Sequence, residues 1–434
     1  MHNKRTTCLP LFQNTIIVLV SITFAIFISE VLLRFTPYKR MLIGGEDSRY
    51  YYKNDDIAGY DISENFPRNR YSFVDADPYV WSNELGCFDN PYKGEKNYIL
   101  LTGDSWLWGF APFESKAGTI IENCLDKRVL KCAVTGYGTK QELLKIKGII
   151  QKTKNTPQLI IVGYCLGNDF LDDWLFPQQY TVIDGYFLKK MRITDYSTWQ
   201  RKIIPNAELK EEIQNTVKQM QDYKAIQASG TGAKRMLGLL KYWLRTRSVI
   251  YNILRKQTVI KRIAHKFGFF IPSGESLTEA FQLNTFPRFE EEWKKHLENI
   301  SGIRDFAQAQ NSNLLFIIIP SFDQVYDAFK KPSDNYEQTI NSLLQDYLRK
   351  QKIDYLDLTS LLREYVRQKP RRHLDSDKDL YWRFDGHWNI RGNQLVGLLI
   401  SKYLLEHNLI TVAERGNKLQ IIYQQLFIFS QDKN

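Results

Sequence analysis

The chain has 434 residues, which allows up to about three domains and a large buried core. Hydrophobic residues make up 43% of it, aromatic residues 14% and charged residues 25%, and these proportions exclude disordered, low-complexity and collagen-like chains. Five cysteines in 434 residues exclude a disulfide-stapled miniprotein, and because none of them forms a Cys-x-x-Cys pair, a zinc ribbon is not indicated. The net charge of +11 favours an anionic partner.

The first predicted element is a membrane helix. No charged side chain occurs from Thr6 to Ser29, and Thr15–Leu33 is apolar enough to cross a bilayer, with Glu30 near its end. Lys4 and Arg5 precede this run as they would in a cleaved signal peptide, but no small-residue cleavage site follows it. We therefore predict an uncleaved anchor. The basic residues on its two sides are too evenly balanced to predict its orientation.

The rest of the chain divides by composition into a Tyr- and Asp-rich lead-in, one α/β domain with a basic insert, and a C-terminal extension. No second apolar run is long enough to cross a bilayer, so the roughly 400 residues after the anchor are expected to fold on one side of the membrane. The predicted segments are a tail at 1–14, the anchor at 15–35, an irregular lead-in at 36–95, the domain at 96–410 with a helical insert at about 185–300, and the extension at 411–434.

From residue 97 onward, apolar runs alternate with stretches of helical periodicity. This alternation predicts parallel strands with helices on both faces, that is, one doubly wound α/β sheet. The predicted strands are 97–102, 129–134, 158–164, 314–319 and 353–358. The predicted helices are at about 115–125, 140–151, 335–350 and 390–406. In such a sheet, ligands bind beyond the carboxyl ends of the strands.

The insert is strongly basic. From Tyr223 to Gly274 it contains 11 Lys and Arg and no Asp or Glu, an excess equal to the net charge of the whole chain. Apolar residues recur there at three- and four-residue spacings, as in an amphipathic helix. The pattern fits a cap packed on the domain, a surface that docks on a lipid membrane, or a site for an acidic polymer. Nucleic acid is not expected, because a chain beyond a membrane anchor would not normally meet it.

Polar motifs follow the first three predicted strands. They are Gly103-Asp104-Ser105, the glycine-containing turn Thr135–Thr139 with Gly136, and Gly167-Asn168-Asp169. A serine at a strand-to-helix turn can act as a nucleophile, and backbone N–H groups or an amide can bind an oxyanion. The Gly-x-Ser-x-Gly elbow of many hydrolases is not present, because Leu107 stands at its last position. Taken singly, each motif also fits a helix cap or a turn.

A fourth motif precedes the last predicted helix. In an extended segment, residues two apart point the same way, so Asp385 and His387 can reach one site, where the carboxylate would orient the imidazole.

In this order, the four motifs resemble the SGNH, or GDSL-like, hydrolase family over about residues 96–185 and 313–406. The resemblance implies a three-layer α/β/α sandwich of flavodoxin-like type with a five-stranded parallel sheet. It makes Ser105 the nucleophile and His387 the base, oriented by Asp385. It places the backbone N–H groups of Ser105 and Gly136 and the amide of Asn168 in the oxyanion hole, with no cofactor and no metal.

One detail departs from the family pattern. Most members place the aspartate three residues before the histidine, whereas Asp385 is two residues before His387. The Asp-x-His-Trp form resembles a branch with alginate O-acetyltransferase-type proteins of exopolysaccharide export, which are membrane-associated and extracytoplasmic. This resemblance moves the expected acyl acceptor from water toward a sugar hydroxyl. It also leaves open that another carboxylate orients His387.

Other aromatic residues and the cysteines have less specific patterns. Trp106, Trp108 and Trp388 flank the motifs and are candidates to stack on a sugar ring, with core packing as the alternative. The cysteines are expected to be buried apolar residues, and a bridge between Cys124 and Cys132 is left open.

These features predict a membrane-anchored, extracytoplasmic esterase that hydrolyses O-acyl esters, foremost O-acetyl esters, on a cell-surface or exported glycan. An O-acetyltransferase that uses the same residues to acylate a polysaccharide hydroxyl is the first alternative. An inactive glycan-binding or assembly protein is the second. The expected partners are an acylated glycan or small ester, the membrane at the N-terminal helix, and an acidic polymer or lipid surface at the basic insert.

Overall fold

The computed structural model divides the chain into two units, Met1–Gly45 with Gln214–Glu275, and Glu46–Ile213 with Ser276–Asn434. The residues it describes are 8–35, 49–71, 76, 78–195, 199–214, 236, 244, 248–251, 286–326, 336–366, 379–382 and 386–431. Asp385 and most of the basic segment 223–274 lie outside the described residues.

The first unit contains a long apolar helix, α1 (Cys8–Arg34), whose part Asn14–Arg34 is long and apolar enough to cross a membrane. Near its end, Glu30 accepts hydrogen bonds from the backbone N–H groups of Val249 and Ile250, at 2.8 and 3.2 Å. The hydroxyl of Ser248 donates to the same carboxylate at 2.9 Å. Glu30 therefore satisfies the first N–H groups of a helical turn that belongs to the insert.

The second unit is the α/β domain. Its strands are β1 (Tyr52–Asp55), β2 (Gly59–Ile62), β3 (Asn69–Arg70), β4 (Tyr79–Val80), β5 (Ile99–Thr102), β6 (Val129–Lys131), β7 (Leu159–Cys165), β8 (Tyr180–Ile183), β9 (Tyr186–Lys189), β10 (Met191–Asp195), β11 (Gln200–Ile203), β12 (Asn313–Ile319) and β13 (Asp354–Asp357). Its helices are α2 (Ser105–Trp108), α3 (Ala117–Leu125), α4 (Thr139–Thr153), α5 (Asp169–Leu175), α6 (Phe289–Ala309), α7 (Phe322–Tyr326), α8 (Tyr336–Lys350), α9 (Leu358–Tyr365), α10 (Ile390–Glu406) and α11 (Arg415–Gln431).

Five of these strands form one parallel sheet in the order β13-β12-β7-β5-β6. Successive side chains along each strand enter different cores, as in β5, where Ile99 and Leu101 pack in one and Leu100 in the other. Helices α3, α9, α10 and α11 contribute to the first core, and α4, α6 and α8 to the second. The predicted five-stranded α/β/α fold is confirmed. It could be predicted because strands that are covered on both faces appear in the sequence as continuous apolar runs.

The segments that flank the sheet differ from their prediction. The lead-in, expected to be irregular, contains the antiparallel hairpins β1–β2 and β3–β4. The insert, expected to be helical, begins with β9 and the hairpin β10–β11. Strands of two to five residues are too short for a hydrophobic period to identify. Tertiary packing holds them instead: Tyr52 and Tyr60 pack on Phe187, with ring centroids 4.3 and 4.8 Å apart.

A disulfide ties the lead-in to the end of β6. It joins Cys87 to Cys132, whose Cα atoms are 4.4 Å apart. The bridge between Cys124 and Cys132 that the sequence left open is therefore not formed, and Cys124 is a free thiol. The spacing of cysteines along the chain cannot predict pairing, which depends on how the fold brings their Cβ atoms together.

We expect the double variant Cys87→Ser, Cys132→Ser to lose about 2–4 kcal/mol of unfolding free energy, because the bridge constrains the unfolded chain across a separation of 45 residues. Chemical denaturation of the oxidised protein measures the loss. The control Cys124→Ser should change the unfolding free energy by less than about 1 kcal/mol. Equal stability of the double variant and the wild type would argue that the two thiols are not bridged.

Candidate active site

The turn after β5 places Ser105 at the carboxyl edge of the sheet. Gly103 has a φ of +149°, and a Cβ there would lie 3.3 Å from the backbone of Gly163 in β7. A Cβ on Gly163 would lie 2.5 Å from the side chain of Leu107. The two glycines thus let the turn sit directly on β7, with Leu107 filling the space above Gly163. Gly163 was not predicted as part of this turn. It makes room for Leu107, which stands where a Gly-x-Ser-x-Gly elbow has its last glycine.

His387 reaches Ser105 from the other end of the domain. Its Nε2 lies 2.8 Å from Ser105 Oγ, although the two residues are 282 positions apart in sequence. Both side chains are only partly buried, so a substrate can approach them. This distance lies within the range required of a nucleophile and its general base. The structure therefore brings together the two residues on which the predicted chemistry depends.

Backbone pairing and aromatic rings hold His387 in place. Trp382 N–H donates to the carbonyl of His387 at 2.7 Å, so the segment before α10 is paired with the chain at 379–382. The ring centroids of Phe110 and Trp106 lie 4.5 and 4.9 Å from that of the imidazole. The orienting role of Asp385 stays a prediction, since this residue lies outside the described part of the chain.

The backbone N–H groups of Ser105 and Gly136 are the predicted donors to an oxyanion. The N–H groups of Ser105 and Gly136 have no hydrogen-bond acceptor among the described residues. Gly136 has a φ of +74°, and a Cβ there would lie 2.9 Å from both the Tyr180 ring and the Tyr60 hydroxyl. Only glycine fits this position without strain, and that its N–H faces the site stays a prediction.

Asn168, predicted as the third donor, is already engaged. Its Nδ2 donates to Asp104 Oδ2 at 3.0 Å and to Asp172 Oδ2 at 2.6 Å. A primary amide has two N–H groups, and these two contacts use both. Asp104 also caps α2 by accepting the Trp106 N–H at 2.9 Å. Asp172 was not among the residues predicted for the site. Its position four residues after Asn168, at the start of a helix, indicates that the two side chains are neighbours.

Four buried carboxyl groups lie behind the candidate site. Burial raises the pKa of Asp104, and it raises the pKa of Glu142 and Asp169 well above their usual ranges. Burial also raises the pKa of Asp172 to about 8, against the opposing effect of the Asn168 amide. Both oxygens of Glu142 lack a hydrogen-bond partner in the described part of the protein. For Glu142 and Asp169, burial favours the neutral acid, because ionisation would place uncompensated charge in the interior.

We expect Glu142→Gln to stabilise the protein by about 1–3 kcal/mol at pH 8 and by less at pH 5. The pKa of Glu142 is higher in the folded protein than in the unfolded chain. At pH values between these two pKa values, Glu142 is protonated in the folded protein and ionised in the unfolded chain. The free energy of unfolding therefore falls as pH rises through this window, and an uncharged amide removes the loss. Melting temperatures from pH 5 to pH 9 measure the effect. The exposed Glu298→Gln is the control, and a pH-independent difference for Glu142→Gln would contradict the explanation.

The three tryptophans proposed to stack on sugar are buried. Trp108 and Trp388 are 1% exposed and Trp106 is 9% exposed. Trp106 contacts the rings of His387 and Trp388, with centroids 4.9 and 5.1 Å apart. Trp108 Nε1 donates to the Tyr51 hydroxyl at 3.0 Å within the core. Core packing, the alternative explanation, therefore accounts for Trp108 and Trp388, while Trp106 packs on the imidazole. Within the described part of the chain, no three His, Cys, Asp or Glu side chains are grouped so as to hold a metal ion.

No protein-family model matches the chain, and no curated protein matches it. Among solved structures, a protein assigned to the G-D-S-L lipolytic family from Desulfitobacterium hafniense is 9% identical with a TM-score of 0.34, over 71% of this chain and 99% of its own. A protein described as an acylhydrolase from Bacteroides fragilis is 11% identical with a TM-score of 0.32, over 74% and 92%. A GDSL-like lipase from Bacteroides thetaiotaomicron is 10% identical with a TM-score of 0.31, over 74% and 92%. At this level the likeness carries no argument about activity.

Proposed function

We propose that this chain is a membrane-anchored serine esterase that cleaves O-acyl esters through an acyl-enzyme. The observation that carries the proposal is the 2.8 Å contact between Ser105 Oγ and His387 Nε2. The N–H groups of Ser105 and Gly136, which have no hydrogen-bond acceptor among the described residues, support it. Nucleophile, base and oxyanion donors are the three parts that acyl transfer needs.

The reaction follows from these positions. The Ser105 hydroxyl donates its proton to His387 Nε2 while Oγ attacks the ester carbonyl carbon, and the two N–H groups stabilise the resulting oxyanion. The imidazolium then protonates the leaving alcohol, and the carbon–oxygen ester bond breaks to leave the acyl group on Oγ. An incoming hydroxyl gives its proton to His387 and attacks the acyl carbon. The bond between the acyl carbon and Ser105 Oγ then breaks as the imidazolium returns the proton to Oγ, which regenerates the serine.

The incoming hydroxyl belongs to water in an esterase and to a sugar in a transferase. We favour hydrolysis of O-acetyl groups on a cell-surface or exported glycan as the activity. O-acetyl transfer to a polysaccharide is the second candidate, which the Asp-x-His-Trp sequence ending in Trp388 supports by its resemblance to alginate O-acetyltransferase-type proteins. The chemistry of Ser105 and His387 is the same in both cases until the acyl-enzyme has formed.

Two observations support an extracytoplasmic location for the catalytic domain. Helix α1 is long and apolar enough to anchor the chain in a membrane. The disulfide between Cys87 and Cys132 lies in the α/β domain, and such bonds persist in oxidising compartments outside the cytosol.

Turnover of p-nitrophenyl acetate by the full chain in detergent micelles tests the proposal, with Ser105→Ala as the blank. Incubation with an acetylated oligosaccharide in ¹⁸O-labelled water, with and without an unacetylated acceptor, then separates the two candidates. Labelled acetate in the mass spectrum indicates hydrolysis, and acetylated acceptor indicates transfer. If the folded wild type hydrolyses no ester that the Ser105→Ala variant fails to hydrolyse, the enzymatic proposal fails. The glycan-binding alternative is then favoured.

A further inference from the structure

We propose that Asp172 is a positioning residue that controls whether the Asn168 amide can donate to the oxyanion. The inference rests on the proposed esterase reaction and adds a regulated third donor to it. It starts from the two contacts of Asn168 Nδ2, at 3.0 Å to Asp104 and at 2.6 Å to Asp172. Because both N–H groups of the Asn168 amide are occupied, the amide can donate to a substrate oxygen only if one of its hydrogen bonds to the two carboxyl groups breaks.

Asp172 is the partner that can release the amide. Asp104 is fixed in the nucleophile turn, since it immediately precedes Ser105 and also accepts the Trp106 N–H as the cap of α2. Asp172 is instead on α5, one turn after Asn168, and its second oxygen accepts a hydrogen bond from Gln179. Its contact with Asn168 is therefore the one that an oxyanion can replace without disturbing the nucleophile turn.

The charge on Asp172 sets the cost of that exchange. A hydrogen bond to a carboxylate is roughly twice as strong as one to a neutral group, so ionised Asp172 retains the amide more firmly. Because burial raises its pKa to about 8, Asp172 is mostly neutral at pH 7 and becomes charged in the alkaline range. Asn168 is thus expected to assist catalysis near neutral pH and to lose this role as the pH rises.

Several titratable groups from neighbouring elements interact with Asp172. They are Asp104 after β5, Glu142 on α4, Asp169 on α5, Tyr60 on β2, Tyr180 on β8 and Lys189 on β9. Burial raises the pKa of both tyrosines above the usual tyrosine range, so they stay neutral near pH 8. Besides burial, Asp104 raises the pKa of Asp172, whereas the hydrogen bond from Gln179 and the charge of Lys189 lower it.

The pH dependence of kcat for ester hydrolysis tests the inference, with Ser105→Ala subtracted as the blank at each pH. We expect kcat of the wild type to fall at least tenfold between pH 7 and pH 10, within the loss of about 10²–10³ that follows removal of an oxyanion donor. Asp172→Asn should abolish this alkaline decline. Gln179 Oε1 has no hydrogen-bond partner among the described residues, so its amide can turn to accept from Asn at position 172.

A second variant moves the decline instead of removing it. The hydrogen bond from Gln179 lowers the pKa of Asp172, so Gln179→Met should shift the alkaline decline to higher pH. The matched control is Asp173→Asn, one residue further along α5. Asp173 accepts hydrogen bonds from Lys140 N–H and Asn299 Nδ2, at 2.9 Å each, and it also contacts His296 and Thr139. Among the described residues it forms no hydrogen bond with Asn168. This control should keep the decline where the wild type has it, whatever it does to stability.

Action through Asn168 has its own readout. In an Asn168→Ala background, adding Asp172→Asn should leave the shape of the pH profile unchanged, because the amide that Asp172 controls is gone. The inference is overturned if the alkaline decline persists in Asp172→Asn. It is also overturned if Asp172→Asn still changes the pH profile in the Asn168→Ala background. Either result leaves the esterase proposal intact. Failure of the wild type to turn over any ester is a failure of the esterase proposal itself.

Discussion

Ester hydrolysis by the Ser105→Ala variant is expected to be on the order of 10⁵–10⁶-fold slower than that of the wild type. In the proposed reaction, Ser105 Oγ forms the covalent bond to the acyl group, and His387 Nε2, 2.8 Å away, is placed to take and return its proton. His387→Ala should cost a similar factor, and the double variant should be no slower than either single one, because the two residues act as a unit. Steady-state kinetics with p-nitrophenyl acetate measure all three.

Stability separates this effect from unfolding. Ser105 is partly exposed and lies in a turn fixed by Gly103 and Gly163, so replacing its hydroxyl should leave the melting temperature nearly unchanged. Ser115→Ala, in a partly exposed position of the same connection, is the matched control and should keep full activity. Residual turnover of Ser105→Ala within tenfold of the wild type would show that another group is the nucleophile.

The sheet could be predicted from the sequence because it depends on local patterns. The pairing of Ser105 with His387, 282 positions apart, was instead expected from the resemblance of the four motifs to a known family. Strands such as β7 are continuous apolar runs covered on both faces, and the carboxyl ends of parallel strands meet at one edge. Once the strands were assigned, Ser105, Gly136 and Asn168 had to approach one another. Their chemical types then indicated what the edge could do.

The rest depended on contacts between distant residues that no local pattern encodes. The engagement of Asn168 by Asp104 joins positions 64 apart, and the disulfide joins positions 45 apart. Glu142 offered a weak local signal, since it occupies a buried position of α4 in line with Ile146 and Ile149. A carboxylate on an apolar helix face is usually a sign of an unusual environment. In the structure, Glu142 is buried and interacts with Asp104 and Asp172.

The lead-in segment completes the candidate site in a way the sequence did not predict. Tyr60 from β2 donates to the carbonyl of Thr135 at 2.8 Å, directly before Gly136. Tyr52 from β1 shares a hydrogen bond of 2.5 Å with the Thr135 hydroxyl. Tyr180 from β8 packs beside Tyr60 against the same turn, at the position where a Gly136 side chain would be. The turn that presents the Gly136 N–H is therefore held by residues before and after it in the chain.

This arrangement makes Gly136→Ala the second substitution with a large expected effect. At a φ of +74° an alanine is strained, and its Cβ would lie 2.9 Å from Tyr180 and Tyr60, both packed in the core around Phe187. Because neither ring can move aside, the turn must shift and carry the Gly136 N–H away from the oxyanion. We expect kcat to fall about 10²–10³-fold with a small change in KM, as for other oxyanion donors.

Gly94→Ala provides the matched control, since it separates backbone strain from collision. Gly94 has a similar φ of +79°, but no atom lies within 4 Å of the position its Cβ would take. It should therefore lose about 1–2 kcal/mol of stability to the left-handed backbone and keep its esterase activity. Steady-state kinetics and chemical denaturation of both variants decide the matter. If Gly136→Ala kept the wild-type kcat, its N–H would not be an oxyanion donor, and Ser105 N–H would have to serve with Asn168 alone.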